Sequence, residues 1–186
     1  MSITAAIRDR RSIKRFTDRP VSRPEIEQIL DSAVHAPNHR LTNPWRFYVL
    51  GPEARAAYGL VLGNRKANKI PDPTAAQAMR DNVSNEHRAL PGMIAVAMVK
   101  SENAEQQEED YAATMMAVQN IALAAHEIGL GTALRTGAIM NDPAARAAAG
   151  VGENERIIAI VNVGAPADVP PAKGRMAATD VTTWMP

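Results

Sequence analysis

The sequence predicts a three-layer domain of α+β or α/β type, with strands in a central layer between helices. Two runs of strand length, the continuously apolar Met93 to Val99 and Ile157 to Val163, apolar but for Asn162, have the character of buried strands. Segments of helical periodicity stand before and between them, the longest from Glu105 to Ile128, and strands separated by helices form a sheet that helices cover. With 46% hydrophobic and 22% charged residues over 186 positions, the chain is able to bury one full core, most simply as a single domain over 1–186.

Residues 2–11 predict a short first helix, with Ile3 and Ile7 four residues apart. The basic run Arg10-Arg-Ser-Ile-Lys-Arg-Phe16 begins at its C-terminal end, where the helix dipole favours cations. Pro20 and Pro24 bracket a connector, and Ser22 with Glu25 three residues on is a capping-box pattern. It opens a helix from about Arg23 to Val34 with Ile26, Ile29, Leu30 and Ala33 as its apolar stripe. His35 to Trp45 is a loop of two prolines, two histidines and two asparagines, a density of hydrogen-bonding side chains that commonly carries function on a rigid scaffold.

Trp45 to Leu50 reads as a strand ended by Gly51-Pro52, and a helix from about Glu53 to Asn64 follows with Ala57, Leu60 and Val61 on one side. Residues 64–90 read as a polar break and a weakly amphipathic helix from Ala75 to Ala89. This is a mobile, solvent-facing excursion, either a lid over a pocket or a plain surface helix. The helix from Glu105 to Ile128 is acidic in its first turns, with Tyr111, Met115, Val118, Ala122 and Ala125 at helical spacing. A helix apolar nearly all round is buried on several sides, and a subunit interface is one way to supply that burial. Gly129 caps it, a short strand leads to Gly137, Asp142 caps a brief helix from Pro143 to Ala149, and the tail from Ala165 is extended.

Composition removes several classes of function. Without cysteine there are no disulfides, thiolate zinc sites or thiol nucleophiles. A net charge of +1 argues against a nucleic-acid module. No run approaches the ~18–20 apolar residues of a membrane span, so the expected setting is soluble and cytoplasmic. Gly129-Leu-Gly131 follows a helix, whereas a dinucleotide fingerprint follows a strand. His35 and His39 lack the carboxylate partner of a metal pair, and no serine sits in a nucleophile elbow. An enzyme with neither nucleophile nor metal of its own relies on a cofactor. The basic run supplies what an anion needs, since Arg10, Arg11, Lys14 and Arg15 surround the Ser12 hydroxyl; a solvated helix end is the alternative.

Four motifs in order carry a resemblance: Arg10-x-Ser12-x-Lys14-x-Phe16, Asn43-Pro44-Trp45-x-Phe47, Gly129-Leu-Gly131 through Arg135-Thr-Gly137, and Lys173-Gly-Arg175. Over essentially the whole chain they resemble the FMN-dependent nitroreductases, and in particular the short bacterial members. The resemblance implies an α+β fold of three layers, with a mostly antiparallel sheet between helices and an extended C-terminal tail. It implies a homodimer with FMN at the subunit interface and NAD(P)H as electron donor. Hydride would pass to FMN and then to an acceptor such as a nitroaromatic or quinone by a ping-pong scheme.

Carried over by position, Arg10, Arg11 and Ser12 contact the FMN phosphate and ribityl chain, and Lys173 or Arg175 completes the phosphate site. Lys14 faces the N1 and O2 side of the flavin as a charge stabiliser. The backbone of Thr136 and Gly137 lies against N5 and O4, with Leu134 and Arg135 in the same cofactor-binding segment. The resemblance also implies that His39 and Asn43 reach the flavin of the partner subunit, and it makes His35, in the same loop, a further cofactor-binding residue. The chain departs from its relatives where they often have Arg at the position of His35 and Gln at that of Asn43. Other readings are a dehalogenase, enoyl-type reductase or flavin-fragmenting member of the superfamily, or a non-catalytic flavin-storage protein.

Overall fold

The computed structural model describes residues 2–186. Its centre is a sheet of β1 (Trp45–Val49), β2 (Gly92–Val99), β3 (Gly131–Arg135) and β4 (Glu155–Gly164) in the order β1-β2-β4-β3. Every pairing is antiparallel, with Phe47 opposite Val96 and Val96 opposite Ala159 across the middle. The fold is therefore α+β, three layers with an antiparallel sheet in the middle.

The apolar run of β2, and that of β4 broken only by Asn162, follow from cover on both faces. Side chains alternate along a strand, so Ile94, Val96, Ala159 and Val161 pack on one side while Met93, Ala95 and Ile160 pack on the other, and a register shift between Val96 and Ala97 brings Ile157 to that second side as well. The first side is roofed by α2 (Arg23–Ala33) and α5 (Ala104–Glu127) through Ile26, Ile29, Ala117 and Ile121. The second is roofed by α3 (Pro52–Ala67) and α6 (Pro143–Ala148), with Tyr58, Ile139, Met140 and Ala145 buried there. At the start of α2 the capping box is complete, since Ser22 Oγ accepts from the Glu25 amide and the Glu25 carboxylate accepts from the Ser22 amide at 2.8 Å.

Two helices bury faces that depart from the stripes read in their sequence, α5 in part, since Val118 and Ala125 belong to both, and α3 more fully. On α5 the buried residues are Asp110, Ala113, Thr114, Ala117, Val118, Ile121 and Ala125, while Tyr111 and Met116 remain 41% and 40% exposed. The sheet takes the smooth, small-residue face, because that lets the helix axis approach closely. On α3 the buried set is Ala56, Tyr58, Gly59, Gly63 and Ala67, not the Ala57–Leu60–Val61 stripe.

The reason lies in α4 (Pro73–Arg88), which folds back on α3 as an antiparallel hairpin. A methyl at Gly59 would stand 2.7 Å from both His87 Cβ and the Val83 carbonyl, and one at Gly63 would stand 2.9 Å from Arg80 Cα. The predicted excursion over 64–90 is thus a packed hairpin, with α3 continuing through the expected break to Ala67.

The two chain ends meet beside β3. After α1 (Ile3–Asp9), residues 10–17 cross the end of the sheet: the Ile13 amide donates to the Thr132 carbonyl at 2.9 Å, and Phe16 bridges Pro166. Gly131 and Gly164, opposite each other in register, leave room for this crossing. A methyl at Gly131 would meet Ile13 Cγ1 at 2.3 Å, and one at Gly164 would meet Pro91 Cγ at 2.3 Å and Phe16 Cδ1 at 3.0 Å. The tail then runs exposed to its end, extended except for one 3-10 turn over Ala178–Val181, with Trp184 90% accessible.

Candidate functional site

The crossing segment determines which side chains are free. Ile13 is buried and Phe16 half-buried under the sheet end, so the exposed Ser12 and Lys14 turn the other way. There they line a cleft of about 720 Å³ together with Arg10 and, from the tail, Lys173 and Arg175. That volume suits a ligand of cofactor size. The tail is steered to it by a backbone bond from the Ala167 amide to the Arg15 carbonyl at 3.0 Å, and by the Arg15–Asp168 ion pair at 2.9 Å. Asp168 is the one carboxylate among the described residues lining a cleft that Arg8, Arg10, Arg11, Lys14, Arg15, Lys173 and Arg175 also line.

The cations do not all serve the cleft alike. Arg11 Nη1 donates to the carbonyls of Arg8 at 2.7 Å and Arg10 at 3.1 Å, satisfying carbonyls that the end of α1 leaves open. Arg10, Ser12, Lys14, Lys173 and Arg175 form the donor set, a mixture of planar forks, point charges and a hydroxyl that suits a phosphate. Arg8 and Asp168 were not foreseen as site residues, and Arg15 was foreseen only as one cation of the basic run. Nothing local announces its pairing with Asp168, 153 residues away in sequence.

The loop between α2 and β1 stands elsewhere. His35 is exposed after α2, and the loop beyond it lies against the first turns of α5. His39 Nδ1 is 3.0 Å from Glu109, Arg40 Nε donates to Glu109 at 2.7 Å, and Thr42 Oγ1 donates to Asp110 at 2.5 Å. Arg40 first and His39 second hold the Glu109 carboxyl below its ordinary range. Asn43 Nδ2 turns back to the Leu41 carbonyl at 3.1 Å.

The other end of α5, at His126, borders a smaller cavity with Arg10 and Arg11. Glu109 and His126 are seventeen helical steps apart, roughly 25 Å along the axis at 1.5 Å per residue. One chain therefore does not bring His39 and Asn43 to its own basic cleft.

Leu134, Arg135, Thr136 and Gly137 leave β3 exposed, a few residues beyond the Ser12–Thr132 bridge. Gly137 has φ 115°, a conformation L side chains rarely adopt, and its carbonyl accepts from the Met140 amide at 3.0 Å. The α3–α4 hairpin neighbours this exit. His87, whose Nδ1 lies 2.8 Å from the Val83 carbonyl, is pushed below its ordinary range by burial, and the charges of Lys66 and Arg135 act in the same direction. No metal-holding cluster occurs among the described residues, and no helix among them is long and apolar enough to cross a membrane.

The model of the family described as "Nitroreductase family" matches residues 7–165. A Bacillus subtilis protein provisionally named NAD(P)H nitroreductase YfhC is 35% identical over 179 residues, covering 96% of this chain and 92% of its own. The crystal structure of a nitroreductase-like family protein from Bacillus cereus superposes with a TM-score of 0.85 at 28% identity, over 100% of this chain and 96% of the other. One from Desulfovibrio desulfuricans, solved in complex with FMN, gives 0.76 at 26% identity, over 100% and 98%.

Proposed function

The chain belongs to the nitroreductase family, and from that premise we propose that it is an NAD(P)H-dependent FMN oxidoreductase acting as a homodimer. FMN, held by the cleft residues, would supply the redox chemistry, ping-pong hydride transfer from NAD(P)H to an acceptor such as a nitroaromatic or quinone. The observation that carries this reading is the convergence of Arg10, Ser12 and Lys14 with Lys173 and Arg175 on one cleft from opposite ends of the chain. Their donor set fits a phosphate, and the cleft is large enough for the rest of the cofactor. The tail's return to Arg15 also supports treating 1–186 as one FMN-binding domain.

On this reading the chain binds, orients and tunes. Arg10 and Ser12, with Lys173 or Arg175, hold the phosphate, and Lys14 keeps a fixed cation beside the ring system, the kind of preorganised charge that costs no rearrangement during reaction. Arg11 acts mainly by fixing the end of α1 from which Arg10 projects. The backbone at Thr136 and Gly137 offers donors where the absence of a Cβ permits close approach. The α3–α4 hairpin, beside that exit, frames the acceptor; replacing Asn64 to Arg88 and finding acceptor preference unchanged would count against this.

Dimerisation is supported by the separation along α5. His39 and Asn43 stand too far from their own cleft to serve it, so they serve the cleft of a second copy. The exposed Tyr111 and Met116 of α5, and Met176, Val181 and Trp184 of the tail, supply apolar surface for such a union.

The purified protein is expected to be yellow, to release FMN at about one per chain, and to bleach anaerobically with NADPH or NADH. Bound FMN with no bleaching would favour storage, and failure to reconstitute with FMN would overturn the reading. Arg10→Ala should weaken FMN binding by about 10- to 100-fold, the loss of one charge-assisted contact, as measured by flavin fluorescence titration.

A further inference from the structure

Asp110 is 3% exposed on α5, and it lies under the loop that carries His39 and Asn43. Thr42 Oγ1 donates to its Oδ1 at 2.5 Å, and Gln106 Nε2 approaches Oδ2 at 3.4 Å. A hydroxyl donating to a carboxylate at that distance is the short, charge-assisted kind of bond. Thr42 sits between two non-glycine residues in the left-handed region, Leu41 at φ 51° and Asn43 at φ 46°. Such a conformation persists only where the surroundings over-determine it.

Here the surroundings form a connected set. Asn38 Nδ2 donates to Thr42 Oγ1 at 3.1 Å, and Asn38 Oδ1 accepts from the Asn43 amide at 2.8 Å. Arg40 reaches Glu109, but through an exposed pair that water weakens. Asp110 is the member of the set anchored in the core, where its own carbonyl accepts from Thr114 Oγ1 at 2.8 Å.

We propose that Asp110 is a positioning residue. Through Thr42 it latches residues 38–43 in the strained shape that presents His39 and Asn43 to the FMN bound by a second copy of the chain. The proposal rests on the function assigned above. A carboxylate and a hydroxyl are both required: the carboxylate as a strong acceptor that α5 holds still, the hydroxyl as a short donor that also accepts from Asn38.

The test compares Thr42→Val, Thr42→Ser and Asp110→Asn by FMN titration, by apoprotein melting and by amide hydrogen exchange at residues 38–43. Loss of one hydrogen bond to a charged group predicts that Thr42→Val raises the FMN dissociation constant about tenfold. Exchange in the loop should rise with it, while Thr42→Ser keeps both properties within about twofold of the parent. Asp110→Asn should fall between them.

Rescue by serine is the result that a mere packing role for the threonine methyl would not give. Wild-type affinity and exchange in Thr42→Val, or failure of Thr42→Ser to restore them, overturns the latch. If Thr42→Val does not fold, Asp110→Asn against Thr42→Ser carries the same comparison. A parent protein that binds no FMN overturns the assigned function instead, and hydrogen exchange still decides whether the latch exists.

Discussion

Glu25 shows how much one carboxylate is asked to do at the surface. It accepts from Arg19 Nη2 at 2.8 Å, from the Ser22 amide and from the Ser22 hydroxyl, and with Arg19 as the largest influence its pKa falls from 4.5 to about 2. A group whose folded pKa is depressed contributes stability that is complete above its unfolded value and disappears as pH falls through the folded one. Glu25→Gln should therefore flatten the dependence of melting temperature on pH between 4.5 and about 2, leaving the profile near neutrality parallel to that of the parent. Ser22→Ala tests the other half of the same cap and should lower stability by about 1 kcal/mol in denaturant titration at neutral pH.

Among the elements, the crossing of residues 10–17 over β3 and β4 depends on Gly131. Gly131→Ala would set a methyl 2.3 Å from Ile13 Cγ1, and overpacking of this kind typically destabilises by ~1–3 kcal/mol. Because Ile13 lies between Ser12 and Lys14, FMN affinity should fall along with the melting temperature, and calorimetry and flavin titration on one sample check both. The same contrast separates what was legible in the sequence from what was not. The Ser22–Glu25 cap and the β2 and β4 runs are written in neighbouring residues, and the structure has them where the pattern puts them. The buried face of α5 was read only in part, through Val118 and Ala125, and that of α3 was misread, because both helices are apolar or small on more than one side. The choice between sides is made by the sheet and by the close approach of α4 to Gly59 and Gly63, not by periodicity. At the site, the basic run was legible from its density of cations and the tail lysine and arginine only through resemblance. The Arg15–Asp168 and Thr42–Asp110 pairs link segments that no local pattern connects.

At the scale of the whole molecule, the predictions concern assembly. The chain should sediment as a dimer, and removing residues 176–186, with Met176, Val181, Trp184 and Met185, should shift it toward monomer and weaken FMN binding in parallel. Analytical ultracentrifugation with and without FMN checks this, and a truncated chain that remained dimeric with full affinity would remove the tail from the interface. The length of α5 between Glu109 and His126 has a consequence that belongs to genetics. A chain damaged at Arg10 and a chain damaged at Asn43 each pair with their own kind into wholly defective assemblies. When the two pair with each other in a symmetric dimer, one site collects both lesions and the other collects neither, so random mixing restores about a quarter of all sites. Alleles of these two groups should complement in trans, and alleles within one group should not.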